Sequence, residues 1–384
     1  MTSRERLTNT LDGRKADRIP VWTHIPFGLQ GSKFVPAPFH GYANYDDWRG
    51  QDPAYRRLVA RMEAECDNLF FWGGAGPAAE HYPFGVSMLE QLPQVERDGK
   101  VVFTTVFRAP GKELRTVKAI QPGSGHTWVL EHYCKGPDDA RLLLELPWEG
   151  RSPKAGDFRE LAEGLGERGM MVVGVLSPMC VVCRLFDPTD FLILSRTERS
   201  LIHRLCEVVA ERTHKNLEAL LQLGLGPIVR FGGAEHATPP MMSPDDFDDF
   251  VVRYDRPLMD LTRKHGCLVA VHCHGRIRHA LGRFVEMGVS LLDPTETVPD
   301  GDITLSEARS IAAGQITLAG NIQVREMATC SPEEISSRVR QVIEQVGPDH
   351  LIVTITGTPL ERISPELEAN YNAFIDAAFE HGRL

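Results

Sequence analysis

Short runs of apolar and β-branched residues alternate with longer amphipathic stretches along the whole of this 384-residue chain. The runs are RIPVWTH (18–24), NLFFWG (68–73), MMVVGVLS (170–177), PIVRFGG (227–233), CLVAVHCH (267–274), VSLLDP (289–294), ITLAGNI (316–322) and LIVTIT (351–356). Such runs read as strands covered on both faces. Start signals mark helices between the later ones. Ser243-Pro244, Ser331-Pro332 and Ser364-Pro365 each set a capping hydroxyl before a proline at the first helical position, and Ser331 to Glu334 fits a capping box. Residues 197–223 read as one long helix, with Leu201, Leu205, Val208 and Val209 at helical spacing. Eight strands each followed by helix predict an α/β fold, a (β/α)8 TIM barrel. An open doubly wound sheet would place a Gly-rich phosphate turn after its first strand, and RIPVWTHIPFGLQG has none.

The spacing breaks once. About a hundred residues separate the second and third runs, and KVVFTTVFRAPGKELRTVKAI (100–120) within them has a β-hairpin pattern turning at Pro110-Gly111. The expectation is one barrel domain over residues 1–384, with a β-hairpin insertion between strands 2 and 3 at about 85–150. Lys+Arg number 42 against 52 Asp+Glu, and the resulting net charge of −10 argues against a nucleic-acid partner, which needs a basic face. The longest apolar stretch, 170–183, is broken by Gly174, Ser177 and Pro178 and is too short for a membrane helix. No secretory apolar region is visible near Met1. The eight cysteines follow no disulfide spacing, so they read as reduced thiols or metal ligands in a cytoplasmic protein.

In such a barrel the working face is the C-terminal end of the strands. The residues expected there are Trp22, Thr23 and His24; Trp72; Ser177, Pro178, Cys180 and Cys183; Glu235 and His236; His272 and His274; Asp293 and Glu296; Asn321; and Thr356. Strand side chains alternate, so His272 and His274 share a face and Cys273 points away. Two imidazoles at a strand end suit a divalent metal such as zinc. The plainer reading is hydrogen bonding within the barrel mouth or to a substrate carboxylate.

Glu235, in the turn-rich GGAEHATPP (232–240), suits a third ligand or a general base; as a plain loop carboxylate it would cap the next helix, a place Ser243 already fills. His236 is expected to face solvent. Asp293 can orient a histidine or simply form an Asp-Pro turn, and Glu296 completes a carboxylate pair with it. Cys180 and Cys183 have the spacing of a zinc half-site or a redox pair, although their apolar flanks also fit ordinary core thiols. Trp22, Phe71, Trp72 and Tyr82 are expected in walls and core, with Trp72 the candidate to line a substrate pocket.

These residues carry a resemblance. RERLTNTLDGRKADRIPVW (4–22), HCHGRIRHALGRFVEMGVSLLDP (272–294), LAGNIQ (318–323) and TGTPLERISPELEANYNAFIDAAFEHG (356–382) resemble the uroporphyrinogen decarboxylase-like superfamily over nearly the whole chain. The superfamily includes the haem-pathway decarboxylase and zinc-dependent methyltransferases that move methyl groups between corrinoid proteins and thiols or folate. The hairpin followed by WVLEHYCKGPDD (128–139) is similar to the methyltransferase-like branches. The resemblance implies a (β/α)8 barrel and suggests a homodimer.

The decarboxylase pattern departs where its chemistry sits. An Arg-rich segment after the first strand is replaced by Thr23-His24-Ile25-Pro26-Phe27, an Asp after the second by Phe71-Trp72-Gly73-Gly74, and a late histidine by Thr356-Gly357. A substrate with eight carboxylates needs several cationic partners, so these losses argue against uroporphyrinogen. The methyltransferase pattern, His-x-Cys-Gly plus a late Cys, becomes His272-Cys273-His274-Gly275 with Thr356 at or near the late position. It implies a metal site of His272, His274 and Glu235, harder than the family's thiolate-rich one.

The leading expectation is a metal-dependent methyltransferase-like enzyme, with zinc as cofactor, a corrinoid as methyl carrier and a small-molecule acceptor. Glu235, Asp293 and Glu296 are its catalytic candidates, and His24, Trp72, Asn321 and Thr356 its substrate contacts. The alternative is a metal-free decarboxylase on a smaller carboxylated substrate, with His24, His272 and His274 around the carboxylate. A third class is a non-catalytic corrinoid- or tetrapyrrole-binding protein.

Overall fold

A computed structural model describes residues 1–37, 48–72, 84, 88–109, 111–121, 127–150 and 155–384. The strands in chain order are β1 (Val21–Trp22), β2 (Phe27–Gln30), β3 (Lys33–Pro36), β4 (Asn68–Trp72), β5 (Leu89–Gln91), β6 (Val95–Arg97), β7 (Lys100–Ala109), β8 (Lys112–Ile120), β9 (Thr127–Glu131), β10 (Gly169–Leu176), β11 (Ile228–Gly232), β12 (Leu268–His272), β13 (Leu291–Asp293), β14 (Thr317–Ile322) and β15 (Leu351–Ile355). All eight apolar runs of the sequence contain a barrel strand. These pair in parallel in the order β1-β15-β14-β13-β12-β11-β10-β4. The two end strands meet where Asp67 N–H donates to Val21 O at 2.8 Å. The fold is the TIM barrel expected.

The insertion is larger than a hairpin. The β7–β8 hairpin is present, but β5, β6 and β9 join it in a five-stranded antiparallel sheet between β4 and β10. Gly111 follows β7 at φ +77°, as a tight turn requires; Pro110, Tyr82 and Gly73-Gly74 lie outside the described residues. A second hairpin, β2–β3, follows β1. The long helix runs Arg199–Gln222, and Ser243, Ser331 and Ser364 cap their helices as the sequence indicates. Among the described residues no helix is long and apolar enough to cross a membrane.

Strand alternation sorts the barrel interior into a dry lower part and a polar mouth. Leu69, Met170, Val172, Ile228, Ala270, Leu291, Ala319 and Ile352 point inward and pack together. Leu7 and Leu11, on helix α1 (Ser3–Leu11), join the same cluster and plug its bottom. Each such Leu contributes about 1.5–3 kcal/mol by burial. Thr2 caps α1 in a capping box with Glu5, and Arg6 reaches from it to buried Asp67 at 2.7 Å. Arg18 meets the other Asp67 oxygen at 2.6 Å, so the charged residues of RERLTNTLDGRKADR clamp the barrel's closing seam. One inward step above the apolar layer, on the C-terminal side, stand Trp22 and His24, Phe71, Gly174, Arg230, His272 and His274, and Asp293.

Candidate active site

Asp293 is the hub of the mouth. It ends β13, is fully buried, and binds three groups from three other strands or their ends. His24 Nε2 lies 2.9 Å from Oδ1; His272 Nδ1 and Arg230 Nη2 lie 3.1 and 2.5 Å from Oδ2. Burial alone would raise the Asp293 pKa. The charges of His24 and Arg230 and the imidazole hydrogen bonds outweigh it and hold the carboxyl well below its ordinary value. An ionised carboxylate only accepts, so His24 Nε2 and His272 Nδ1 carry the protons they share with it. In a neutral ring the remaining lone pair is then on Nδ1 of His24 and Nε2 of His272. His24 keeps a lowered pKa, because its burial outweighs the pull of Asp293. Its φ of +56° is a sparsely populated conformation for a non-glycine residue, and the Asp293 bond and the Trp22 ring at 3.6 Å hold it there.

His274 forms a second dyad. Its Nδ1 lies 3.2 Å from Glu296 Oε1, and Gly275 N–H donates to Glu296 Oε2 at 2.6 Å. Burial lowers the His274 pKa, but the bond and charge of Glu296, with Glu235 and Asp293 nearby, raise it overall. Burial raises Glu296, and His274 and the Gly275 amide more than offset this, so its pKa is lowered. The rings of His272 and His274 are 4.5 Å apart and perpendicular.

Both dyads open into a cavity of about 720 Å³, within the size range of small-molecule sites. Trp22, His24, Phe27, Phe71, Arg230, His272, His274, Glu296, Gln323, Thr356 and Thr358 are among its walls. Thr356 Oγ1 donates to Gln323 Oε1 at 3.0 Å and accepts from Val324 N–H at 3.3 Å, which fixes that wall.

Two expected substrate contacts lie elsewhere. Trp72 alternates to the outside of β4, where it is buried edge-on against Phe158 at 5.2 Å; its neighbour Phe71 faces the cavity instead. Asn321 donates to Thr297 Oγ1 at 3.1 Å and lines a neighbouring 350 Å³ cavity.

The expected metal set is not assembled. The Nδ1 atoms of His272 and His274 are engaged by separate carboxylates, and Glu235 Oε2 is buried without a hydrogen-bond partner. Among the described residues no three His, Cys, Asp or Glu side chains converge to hold an ion. As placed, these side chains do not form a three-ligand zinc site; the Nδ1–carboxylate bonds leave the Nε2 atoms of both rings without a carboxylate partner among the described residues. Cys180 and Cys183 do not join the two histidines either. His236, half-buried rather than solvent-facing, hydrogen-bonds Cys180. The bonds from Cys183 and His236 outweigh burial and lower the Cys180 pKa to about 5. A Cβ at Gly233, whose φ is +96°, would sit 2.2 Å from Cys180 Sγ, so that loop must carry glycine.

Arg230 is the functional candidate that the sequence reading missed. Its signal was a lone charge inside an apolar strand, in phase with Ile228 and Gly232. Such a charge is costly unless paired, and Asp293 pairs it.

Fold and site together define a (β/α)8-barrel protein with histidine–carboxylate dyads at the C-terminal ends of its strands. Residues 130–378 match the family described as uroporphyrinogen decarboxylase (URO-D). The chain belongs to that family. It is similar over 99% of both chains to a solved methyltransferase from Methanosarcina mazei, at 16% identity and a TM-score of 0.61, a likeness of fold. A B12-independent methionine synthase from Shewanella sp. W3-18-1 aligns over 94% of this chain and 97% of its own, at 12% identity and a TM-score of 0.49. No curated protein matches the chain.

Proposed function

We propose that this protein is a carboxy-lyase that removes CO2 from a small carboxylated substrate without a metal ion. The observation that carries the reading is the Asp293 hub, which fixes Arg230, His24 and His272 beneath one cavity. A cation held in place by a buried carboxylate suits an anionic substrate and costs little reorganisation on binding. Among the described residues the cavity wall carries two arginines, Arg230 and Arg325, the second paired with Asp300, where an eight-carboxylate substrate needs several cations.

In this reading the substrate carboxylate lies against Arg230, and His272 Nε2 is left to accept from a donor elsewhere on the substrate. The bond from the carboxylate carbon to the neighbouring carbon breaks, and the electron pair stays on that neighbour, drawn by an electron-accepting group of the substrate. CO2 leaves. His274 returns a proton to the carbon from Nε2, since Nδ1 is held by Glu296. Asp293 and Glu296 position the imidazoles, Glu296 raises the pKa of His274 against burial, Thr356 shapes the wall, and the unpartnered Glu235 Oε2 adds negative charge near His274.

The test is release of CO2 from a panel of small carboxylic acids, with and without a strong chelator, beside metal analysis of the purified protein. The expected result is turnover that the chelator leaves unchanged. Turnover that needs bound zinc, or methyl transfer from a corrinoid in place of CO2 release, would overturn it.

A further inference from the structure

We infer that the substrate of this site is an aromatic carboxylic acid, a refinement that rests on the carboxylate-binding reading above. The floor of the cavity is a continuous circuit of flat groups. From Asp293 it runs to His24 at 2.9 Å, to the Trp22 ring at 3.6 Å, to the Phe71 ring at 6.0 Å, and to the Arg230 guanidinium 5.0 Å over Phe71. Arg230 returns to Asp293 at 2.5 Å and closes it. Trp22 and His24 are covered by their neighbours, but Phe71 is 41% exposed. That exposed surface faces the cavity, because Phe71 occupies an inward strand position and lines the wall.

Gly174 keeps this surface open. It stands in register with Arg230 on the strand between Phe71 and Arg230, and a Cβ there would have no atom within 4 Å. The missing side chain leaves open space beside the Arg230–Phe71 pair. Arg230 Nε has no hydrogen-bond partner, so the guanidinium holds unused donor capacity beside the exposed part of the Phe71 ring. An acid whose carboxylate is carried on a planar ring matches both at once; for such a ring His274 Nε2 protonates the carboxylate-bearing carbon first, and CO2 then leaves as the electrons of the broken C–C bond return to the ring. The carboxylate meets Arg230 while the ring covers Phe71, with aromatic contact geometry that a saturated ring lacks.

The experiment compares binding of benzoate and cyclohexanecarboxylate by calorimetry. The two share charge and ring size. Simple apolar burial favours the saturated ring, so a preference for benzoate reports the aromatic face. The expected result is about three- to tenfold tighter binding of benzoate, lost in both Phe71→Leu and Phe71→Ala; circular dichroism verifies that each variant is folded. Equal binding of the two acids, no binding of either, or a preference that persists in a folded Phe71→Leu would overturn the inference. The lyase reading fails separately: acids that bind with this preference yet release no CO2 remove the reaction and leave the ligand class standing.

Discussion

Asp293 and Asp255 are both fully buried in this barrel, and burial pushes both toward the neutral acid, yet they end in opposite states. Asp293, in the mouth, is surrounded by Arg230, His24 and His272 and is held ionised. Asp255, on the inner face of the helix Arg253–Lys264, receives one bond from Ser177 Oγ at 2.9 Å and has the negative Cys180 nearby. Burial, only partly opposed by Ser177, raises its pKa to about 8. Depth in the protein does not set the charge of a carboxyl; its partners do. The molecule places its cations where a charge organises other groups and keeps neutral the carboxyl whose partner is a hydroxyl.

The sharpest way to break this comparison is Asp293→Asn. An amide keeps the volume but strands Arg230 in a partly buried place and no longer fixes both imidazoles. The expected loss is about 3–5 kcal/mol of stability by denaturant unfolding and a fall of about 10²–10³-fold in CO2 release. Near wild-type turnover would remove Asp293 from its organising role.

Asp255→Asn has the reverse sign. The folded chain keeps a proton on Asp255 that the unfolded chain releases above pH 4. This group's contribution is therefore fully present below about pH 4 and is lost as pH rises to about 8. Asn can still accept from Ser177 and does not titrate. Relative to wild type, the variant should gain a few kcal/mol between pH 5 and pH 8, read by urea unfolding at both values. Parallel pH profiles would show that Asp255 ionises normally.

A smaller effect is expected from Glu296→Gln. His274 has a raised pKa that depends chiefly on Glu296 against burial, so removal of that charge lowers it. A proton donor is competent below its pKa and fails above it. The alkaline limb of the rate profile should move toward acid, with a matching shift in the His274 titration by NMR. An unmoved limb would assign the proton to another group.

Trp72→Phe should matter least. Trp72 packs outside the barrel and its buried Nε1 has no hydrogen-bond partner, so lost area is offset by removal of an unsatisfied donor. Stability should change by no more than about 1–2 kcal/mol, with kcat/KM unchanged in the CO2 assay. A large fall in kcat/KM would mean that the mouth reaches through the strand.

Much of the site was legible because strand periodicity is local. His272 and His274 share a face by spacing alone, and Asp293 and His24 fall at strand ends once the runs are counted. The phase of β4 was not legible. Leu69, Phe70, Phe71 and Trp72 are all apolar, so no polarity contrast marks which of Phe71 and Trp72 faces inward. Asp255 lies among several acidic residues between 245 and 260, and only packing against Ser177 distinguishes it.

The chain's own order of residues determined the eight strands, the caps of their helices and the set of groups delivered to the mouth, because apolar periodicity and capping act over a few neighbours. Closure of the barrel alone decided which of those groups meet. His24 and Asp293 are 269 residues apart and Arg230 and Asp293 are 63 apart, yet each pair is in hydrogen-bond contact. Whether His272 faces a metal partner or a carboxylate, and whether a buried acid keeps its proton, depends on distances across the cylinder. Those distances are set when all the strands close on one core.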